Sequence, residues 1–398
     1  MLTDVFYPDT IGGAGRMAYQ NSLELSKKGH EVHVITRNIN GKLSPYEKLT
    51  TNLNIHRFLV PSENSISLFI FEIINSHRVF KKIYNVTFDL ICMHQSLPAI
   101  SPILSGAMEN VPTIYYYYSP WSEEFLIKNQ NKIYFTNNCI ASVMKWVEWK
   151  ALQNANKIIV MSDYMSNELL KLHKKISTNK IIKIPGAVDL AYFNLDKESQ
   201  IKRALNIPFN KTIFLTVRNL VKRMGLESLI KAFHHSDLLK EKSILLIGGK
   251  GPLENYLKSL VSKYKLEDTI RFAGHIPEAD LPKYYQAADY FILPTEKLEG
   301  FGLVILESMA CGTPVIGTPV GAIPELIGTF DKRLLTNGTG SYDIKEKLEE
   351  IVNNPDEYLF ESQTCRKFVE DNYSWEKVAD EFEKAALDLV LQKGQSSQ

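Results

Sequence analysis

The segment 299–314 carries the residue types best suited to chemistry, because it places two glutamates on either side of two glycines. The preceding strand is predicted to end at Leu293, and a helix is predicted to begin near Leu303 and to stop at Gly312. Backbone amides at a helix N-terminus attract an anion, and glycines let the backbone approach it closely. The segment therefore predicts a site for a diphosphate. Its candidate ligand-binding residues are Phe301, Gly302, Leu303, Val304 and Glu307.

Charged side chains near this segment indicate how a diphosphate is held. Glu299 is expected on a loop at the carboxyl edge of the sheet, and Glu307 one helical turn inside, where it accepts hydrogen bonds from sugar hydroxyls. Two carboxylates repel a phosphate, so cations must come from elsewhere. Arg218 follows the predicted strand 212–217, Arg223 lies shortly after it, and guanidinium groups bind phosphate oxygens in bidentate fashion. The candidate catalytic residues are Glu299, Arg218 and Arg223.

The sequence lacks the acidic motif that commonly binds the divalent ion of a nucleotide diphosphate. No Asp-x-Asp pair occurs anywhere in it, and carboxylate oxygens are ligands that Mg²⁺ prefers. We therefore expect no metal and no other cofactor, with arginines and a helix N-terminus stabilising a departing diphosphate. The four cysteines form no Cys-x-x-Cys pair and predict neither a disulfide framework nor a zinc site.

Strands and helices alternate along the whole sequence, which is typical of parallel sheets covered by helices. The predicted strands are 1–3, 31–36, 89–93, 113–117, 157–161, 181–184, 212–217, 243–247, 269–273, 290–293 and 314–317. They predict an α/β protein with two Rossmann-like domains whose parallel sheets face an inter-domain cleft. The domains are expected at 1–190 and 191–375, joined through a polar stretch at 194–203. The helix 376–398 is expected to pack back on the first domain.

The beginning of the chain predicts a strand, a glycine loop and a helix. The loop is expected over 8–15, with Gly12 and Gly13 as candidate ligand-binding residues. The helix then runs to Lys28, where Gly29 ends it with cations in its last turn. Three residues are short for a buried first strand, whose usual length is about five or six residues. Either the first strand of the sheet is very short or the native sequence starts upstream of Met1.

Composition and charge are those of an ordinary globular protein. Of its 398 residues, 44% are hydrophobic and 23% are charged, and the formal net charge of +1 suggests no nucleic acid partner. The charge is unevenly divided, because residues 1–190 carry 20 Lys and Arg against 15 Asp and Glu, whereas the remainder carries 26 against 30. The start lacks a basic segment followed by an apolar one, so we expect no signal peptide and a cytoplasmic protein.

The segment 67–84 sets apolar residues beside cations. Arg78, Lys81 and Lys82 accompany a series of aromatic and aliphatic side chains that runs from Phe69 to Phe80. A helix lying on a membrane surface has this pattern, and so does an ordinary amphipathic helix buried on a sheet. Together with the basic first half, the segment leaves a peripheral contact with the cytoplasmic membrane face as an open expectation.

Further motifs, taken with those above, resemble the retaining glycosyltransferases of family 4 (glycosyl transferases group 1). The resemblance covers essentially the whole chain, with the motifs in the family's order. The motifs are Gly12-Gly13, Gly29-His30-Glu31-Val32, Ile184-Pro185-Gly186-Ala187-Val188-Asp189, Arg218 with Arg223, Gly249-Lys250-Gly251-Pro252-Leu253, Phe272-Ala273-Gly274, the run from Leu281 to Asp289, Glu299 with Glu307, and Ser374-Trp375.

This resemblance implies a GT-B fold and the transfer of a sugar, with retention, to a hydroxyl of a saccharide or lipid-linked acceptor. It implies a donor linked to UDP or GDP and held mainly by the C-terminal domain, with the acceptor in the N-terminal domain. Arg218 and Arg223 match the basic pair on the diphosphate, although the second is more often lysine. The remaining implied roles are Glu299 near the donor sugar hydroxyls, Glu307 at the ribose, Gly13 beside the phosphates, and His275 and Ile276 near the base.

The stretch 115–121 departs from the family's pattern. Many relatives carry histidine where Tyr118 stands, and a phenol, with an unperturbed pKa of about 10, is a poorer base at neutral pH than imidazole. His94, at the end of the predicted strand 89–93, is the second candidate for acceptor contact or proton handling, and the choice between the two stays open. The tyrosines of 115–118 are expected to alternate between core and surface.

Two other functions stay open on the sequence alone. One is a GT-B-fold isomerase that epimerises a UDP-sugar, which would convert the donor sugar with no acceptor present. The other is a non-catalytic partner subunit that binds a nucleotide sugar, suggested by Tyr118 and by the short first strand.

Overall fold

A computed structural model describes residues 1–8, 12–39, 41–60, 66–83, 86–129, 134–195 and 210–396. The chain divides into two compact units. Unit 1 comprises Met1–Gly186 together with Trp375–Gln398, and unit 2 comprises Ala187–Ser374. Most of the linker expected at 194–203 lies outside the described residues.

Both units are built on parallel strands. The strands of unit 1 are β1 (Val32–Ile39), β2 (Tyr46–Thr50), β3 (Leu53–Val60), β4 (Ile91–Met93), β5 (Thr113–Tyr117), β6 (Lys157–Val160) and β7 (Ile181–Lys183). Those of unit 2 are β8 (Thr212–Val217), β9 (Ser243–Gly248), β10 (Ile270–Gly274), β11 (Tyr290–Leu293) and β12 (Val315–Gly317).

Helices connect and cover these strands. In unit 1 they are α1 (Gly13–Lys27), α2 (Ile66–Ile83), α3 (Leu97–Leu104), α4 (Trp121–Lys128), α5 (Tyr134–Asn154) and α6 (Asp163–Leu172). In unit 2 they are α7 (Leu226–His234), α8 (Asp237–Lys242), α9 (Glu254–Lys263), α10 (Leu281–Ala287), α11 (Leu303–Ala310), α12 (Ile323–Asp331), α13 (Ser341–Asn353) and α14 (Ser362–Asn372), and α15 (Trp375–Ser396) returns to unit 1. No helix in the described ranges is long and apolar enough to cross a bilayer.

The sheet of unit 1 is joined by a single residue of the predicted first strand. Leu2 makes parallel bridges to Ile35 and to Met93, and so connects the order β2-β3-β1 to the order β4-β5-β6-β7. The ladders are parallel except for β2, which pairs antiparallel with β3. The sequence did not indicate β2, because an edge strand whose residues are largely exposed lacks an apolar alternation.

The glycine loop is shorter than expected. Helix α1 begins at Gly13 with Gly12 as its N-cap, so the expectation of a loop as far as residue 15 is wrong, and residues 9–11 lie outside the described chain. The predicted end is confirmed: Lys28 caps the helix, and Gly29 follows with a φ of +94°.

The expected alternation of the tyrosines in β5 is also wrong. Tyr115, Tyr116 and Tyr117 are all buried, at 4%, 1% and 1% exposure. Helices cover both faces of a central parallel strand, so its side chains pack in the interior on either side. Among the predicted strands, 113–117, 212–217 and 290–293 have the bounds of β5, β8 and β11.

Helix α15 completes the core of unit 1. The ring of Phe382 stacks on that of Tyr116, with centroids 5.8 Å apart. At the surface, Glu383 accepts hydrogen bonds from Lys28 Nζ at 2.9 Å and pairs with His30 Nε2 at 2.6 Å. The two ends of the chain therefore pack into the same unit.

The sheet of unit 2 has the strand order β10-β9-β8-β11-β12, with every ladder parallel. The chain runs outwards from β8 through β9 to β10 and then returns to the other side of β8 with β11. This is the Rossmann order, and it reverses direction between β8 and β11. Ligands of such sheets bind beyond the carboxyl ends of the strands at that point of reversal.

Candidate functional site

The reversal between β8 and β11 brings two predicted residues together. Arg218 directly follows β8, and Glu299 lies on the loop after β11. Arg218 Nη2 donates to Glu299 Oε2 over 2.6 Å, although 81 residues separate the two in sequence. The side chains are 6% and 13% exposed. The structure therefore joins the predicted cation and carboxylate in one largely buried ion pair.

The surroundings of Arg218 fix its guanidinium group. Its Nε and Nη2 lie 3.2 and 2.7 Å from Met224 Sδ. Thr295 Oγ1 lies 3.5 Å from the same Glu299 oxygen that Arg218 contacts. Removing one partner of a buried pair typically costs about 3–5 kcal/mol, because the other charge is left uncompensated. Glu299 therefore supplies the counter-charge that Arg218 requires.

Two glycines hold the backbones of these residues against neighbouring loops. Gly249 has a φ of +122°, and a Cβ there would lie 1.9 Å from the carbonyl oxygen of Arg218. Gly321 has a φ of +62°, and a Cβ there would lie 2.2 Å from the carbonyl oxygen of Glu299. Ala322 N–H donates to the same Glu299 oxygen over 2.9 Å. Neither close approach leaves room for a side chain, so both depend on glycine.

Arg223 stabilises the loop that carries Glu299. Its Nη1 donates to the Leu298 carbonyl oxygen over 2.7 Å, and its own carbonyl accepts the Glu296 N–H at 2.8 Å. Leu298 has a φ of +56°, a conformation that costs a non-glycine residue about 1–3 kcal/mol and persists only where the surroundings impose it. The structure thus shows the second predicted arginine bound to loop backbone.

Helix α11 begins where the sequence predicted, at Leu303, with Gly302 as N-cap. The first N–H groups of a helix have no partner within it and can meet an anion. The backbone of Leu303 and Val304 belongs to this first turn, whereas the Phe301 side chain is 3% exposed and packs in the core.

The remaining predicted residues of unit 2 differ in exposure. Glu307 is 7% exposed, and its Oε2 accepts a hydrogen bond from Tyr285 Oη over 2.9 Å. His275 is exposed, while Ile276 is 7% exposed and packs against Gly248. Of the two residues assigned to the base by resemblance, only His275 has its side chain at the surface of unit 2.

Unit 1 has a reversal point of its own at Leu2, where β1 lies on one side and β4 on the other. Asp4 comes shortly after Leu2, His94 directly follows β4, and Tyr118 directly follows β5. All three lie at the carboxyl ends of neighbouring parallel strands, where ligands of α/β sheets bind.

His94 and Tyr118, the alternatives left open by the sequence, form a hydrogen-bonded pair. His94 Nδ1 and Tyr118 Oη are 2.6 Å apart, and the His94 ring stacks on Tyr116 with centroids separated by 4.5 Å. Burial lowers the pKa of His94 to about 3, so the ring is neutral at physiological pH. Burial raises the pKa of Tyr118 well above its ordinary value.

Sequence reasoning missed several side chains that shape these edges. Asp4 directly follows the short first strand, and that position was a usable signal. Tyr285 lies inside a motif already noted, but its contact with Glu307 was not predicted. Met224 contacts Arg218, and Glu148 lies 2.9 Å from His173. No rule of sequence spacing indicates either contact.

Two family models match the chain and together cover nearly all of it. The model described as "Glycosyl transferases group 1" matches residues 197–386, and that described as "Glycosyltransferase Family 4" matches residues 11–192. The chain belongs to the family 4 glycosyltransferases. The family expected from the motifs is thereby confirmed, and the fold is GT-B.

Curated proteins are similar to this chain along most of their length. The N-acetyl-alpha-D-glucosaminyl L-malate synthase of Bacillus anthracis is 23% identical, over 96% of each chain. The alpha-monoglucosyldiacylglycerol synthase of Streptococcus pneumoniae is 25% identical, over 99% of this chain and 89% of the other.

Solved structures show the same fold. The sucrose-phosphate synthase from Thermosynechococcus elongatus aligns with a TM-score of 0.81 at 23% identity, covering 98% of this chain and 96% of that one. Anabaena HepE in complex with UDP-glucose aligns with a TM-score of 0.72 at 14% identity, covering 97% and 98%.

Replacing Gly321 with alanine is expected to lower both stability and sugar transfer. A left-handed φ costs an L-residue about 1–2 kcal/mol, and the added Cβ would press on the Glu299 carbonyl. Urea unfolding measures the first effect and a transfer assay the second. Gly328→Ala is the matched control, because a Cβ there would make only ordinary van der Waals contacts, with Leu335 Cδ1 at 3.7 Å and Lys332 Cγ at 3.8 Å. Alanine in a helix is also favoured by about 0.5–1 kcal/mol. Equal effects of the two substitutions would contradict the argument.

Proposed function

We propose that this glycosyltransferase moves a sugar, with retention, from a nucleoside diphosphate donor to a hydroxyl of a saccharide or lipid-linked acceptor. The observation that carries the proposal is the Arg218–Glu299 ion pair at the reversal point of unit 2. It places a cation suited to phosphate beside a carboxylate suited to sugar hydroxyls, on the sheet edge that also carries the start of α11.

The donor side of the proposal assigns one ligand group to each feature of unit 2. Arg218 and the first amides of α11 bind the diphosphate of a UDP- or GDP-linked sugar. Glu307, oriented by Tyr285, accepts hydrogen bonds from the ribose, and the exposed His275 lies beside the base. In unit 1, Gly12 and Gly13 at the start of α1 are the proposed further donor contacts.

In the proposal, Arg218 and Glu299 each take a new partner when the donor binds. A diphosphate offers Arg218 a second anionic partner, and guanidinium–phosphate contacts are strong because both groups are charged. Once Arg218 contacts the phosphate, Glu299 accepts hydrogen bonds from hydroxyls of the donor sugar. The carboxylate therefore orients the sugar when the diphosphate is in place.

The proposed reaction breaks the bond between the anomeric carbon and the diphosphate oxygen, and the electron pair leaves with the diphosphate. The acceptor oxygen forms its bond on the same face of that carbon, and its proton passes to an oxygen of the leaving phosphate. Arg218 and the N-terminus of α11 stabilise the charge that develops on the diphosphate. Arg223 keeps the Glu299 loop in place.

On the acceptor side, His94 and Tyr118 act together in the proposal. A ring with a pKa of about 3 is a neutral hydrogen-bonding group, so it orients a hydroxyl without adding charge. Its Nδ1 is bound to Tyr118, while its Nε2 has no hydrogen-bond partner among the described residues. The pair thus takes the place of the single histidine that many relatives carry.

Removing either member of the ion pair should abolish transfer. Arg218→Ala and Glu299→Ala are each expected to lower kcat at least about 100-fold, the scale for losing one transition-state contact, while circular dichroism shows that the fold is kept. Glu254→Ala and Lys258→Ala break an exposed 2.7 Å pair in α9 and serve as matched controls. Near-normal turnover by both site variants would refute these roles.

The same assay separates the alternative functions. Conversion of the donor sugar with no acceptor present would identify an epimerase. Donor binding without transfer or hydrolysis, across a broad acceptor panel, would identify a binding subunit.

Transfer is expected to proceed without a divalent cation. In the described ranges, no three His, Cys, Asp or Glu side chains lie close enough together to hold a metal ion, and the proposal assigns the diphosphate charge to Arg218 and to helix amides. The rate should stay within about twofold when EDTA is added, since the stabilising dipoles belong to the protein. A strict Mg²⁺ requirement would overturn this part of the proposal.

A peripheral membrane contact through α2, at the cytoplasmic face, is the finer proposal for the acceptor. Ile70, Phe71 and Ile74 are 57%, 44% and 43% exposed, and exposed cations follow them at Arg78 and at the end of the helix. A relative of this chain is named for synthesis of a glucosyl diacylglycerol. Apolar side chains beside cations favour an anionic lipid surface.

Vesicle flotation tests this contact. The protein is expected to float with vesicles containing anionic lipid more than with zwitterionic ones, because each cation near an anionic surface contributes about 1 kcal/mol. Phe71→Glu should abolish flotation. Leu359→Glu, at a residue of unit 2 that is 78% exposed, is the control and should have no effect. Flotation that survives Phe71→Glu would place the contact elsewhere, and absence of flotation by the unaltered protein would exclude it.

A further inference from the structure

A cavity of about 250 Å³ lies beside His94 and Tyr118 in unit 1, and Asp4, Trp121 and Glu124 also line it. It is at the carboxyl ends of the parallel strands and next to the reversal point of the sheet, where such folds bind ligands. Pockets for drug-sized ligands usually measure about 300–1,000 Å³. The cavity is therefore suited to one small ring.

The charged groups that line this cavity are acidic. Asp4, Glu124 and Glu148 line it, and within the described part of the chain no lysine or arginine does. Glu148 has structural partners, because its Oε2 lies 2.9 Å from His173 Nε2 and its Oε1 accepts the Trp121 N–H at 3.2 Å. Glu124 therefore sets the charge that a ligand meets.

The pKa of Asp4 depends on burial and on charged groups behind the cavity. Burial raises the pKa of Asp4, and the attraction of Arg37 opposes that rise. Glu72, which is fully buried on α2, adds a second carboxyl whose pKa burial and Asp4 raise well above the usual value. A raised pKa favours the uncharged form of a carboxyl group, so the negative charge on the cavity wall is assigned to Glu124. A phosphate or carboxylate beside Glu124 would be repelled, since like charges at contact distance interact unfavourably.

The other walls suit hydroxyl groups and a ring. His94 is 1% exposed, and neither its Nε2 nor Asp4 Oδ1 has a hydrogen-bond partner among the described residues. Buried polar atoms are normally satisfied, so these two favour a ligand that carries hydroxyls. Trp121 adds an aromatic wall, and its stacking on Phe69, with centroids 5.9 Å apart, fixes its orientation. Such a wall packs against the apolar face of a sugar ring.

We propose that this cavity binds the reacting end of the acceptor as an uncharged sugar ring, and that it discriminates against a ring bearing phosphate or carboxylate. The inference rests on the proposed function and names the acceptor class for it. A free glycoside and the headgroup of a neutral glycolipid share this chemistry.

Binding to the full-length protein tests the proposal directly. Saturation-transfer NMR is measured with methyl glycosides of gluco, galacto and manno configuration, each beside its 6-phosphate and its uronate. The neutral ring of the preferred configuration is expected to bind at least tenfold more tightly than its two anionic analogues. Tighter binding of an anion, or no binding of any neutral ring, overturns the proposal.

The same ligands are then supplied as acceptors with a panel of UDP- and GDP-sugars. Binding of the neutral ring without any transfer would count against the proposed function alone, because the cavity's selectivity would stand. A glycosyl diacylglycerol in vesicles, compared with the soluble glycoside, distinguishes the two sources of the ring. Preferential transfer to a phosphorylated headgroup would overturn the inference.

A charge reversal inside the cavity provides the local test. Glu124→Lys is expected to shift the ratio of neutral to 6-phosphate dissociation constants at least tenfold towards the phosphate. Glu123→Lys is the matched control, since Glu123 is the neighbour on α4, is exposed, and is not among the residues lining the cavity. An equal shift in both variants would overturn the proposal. Should Glu124→Lys fail to fold, Glu124→Gln is expected to shift the ratio in the same direction by a smaller factor.

Discussion

A guanidinium group that is almost withdrawn from water must always have an anionic partner, and Arg218 is held under this constraint. Its partner is Glu299, which approaches from a loop on the other side of the sheet's reversal point. The loop is kept in place by Arg223 and by the close packing of Gly321, so much of the surrounding backbone serves to keep two charges in contact. A buried pair of this kind is weak evidence for stability, because desolvation offsets much of the Coulomb attraction. In the proposed function, its use is in positioning two groups that the donor needs at once.

Chain topology explains why the candidate residues of both units occur directly after strands. In a parallel sheet the carboxyl ends of all strands meet at one edge, and a reversal of strand order opens a crevice there. Unit 2 uses the crevice between β8 and β11 for Arg218 and Glu299, and unit 1 uses the crevice at Leu2 for Asp4 and His94. The edge of the sheet in unit 2 presents a cation and helix amides, whereas the edge in unit 1 presents acids and neutral rings. The two edges therefore differ in charge. One architecture thus provides two unlike binding surfaces.

The sequence was sufficient to predict the strands whose residues are apolar throughout, and to identify candidate residues that follow them. Thr113–Tyr117 and Tyr290–Leu293 could be bounded correctly because a buried parallel strand is a short continuous apolar run. Arg218 was found because it follows such a strand, and Glu299 because two glycines and a predicted helix start come directly after it. The antiparallel pairing of β2 was not predictable, since an exposed edge strand carries no alternation. Contacts such as Arg218 with Met224 depend on how loops fold over one another, and spacing does not encode that.

The return of α15 to unit 1 has a consequence for how the protein is made. Unit 2 is a continuous insertion between two segments of unit 1, and Phe382 contributes to the core of unit 1 only from the last helix. During synthesis, domains generally fold as units in the order in which they leave the ribosome. Unit 2 therefore has its whole sequence available before unit 1 does, and the surface around Tyr116 is covered only after helix α15 has left the ribosome. The core of unit 1 is therefore completed after the sequence of unit 2 has been made.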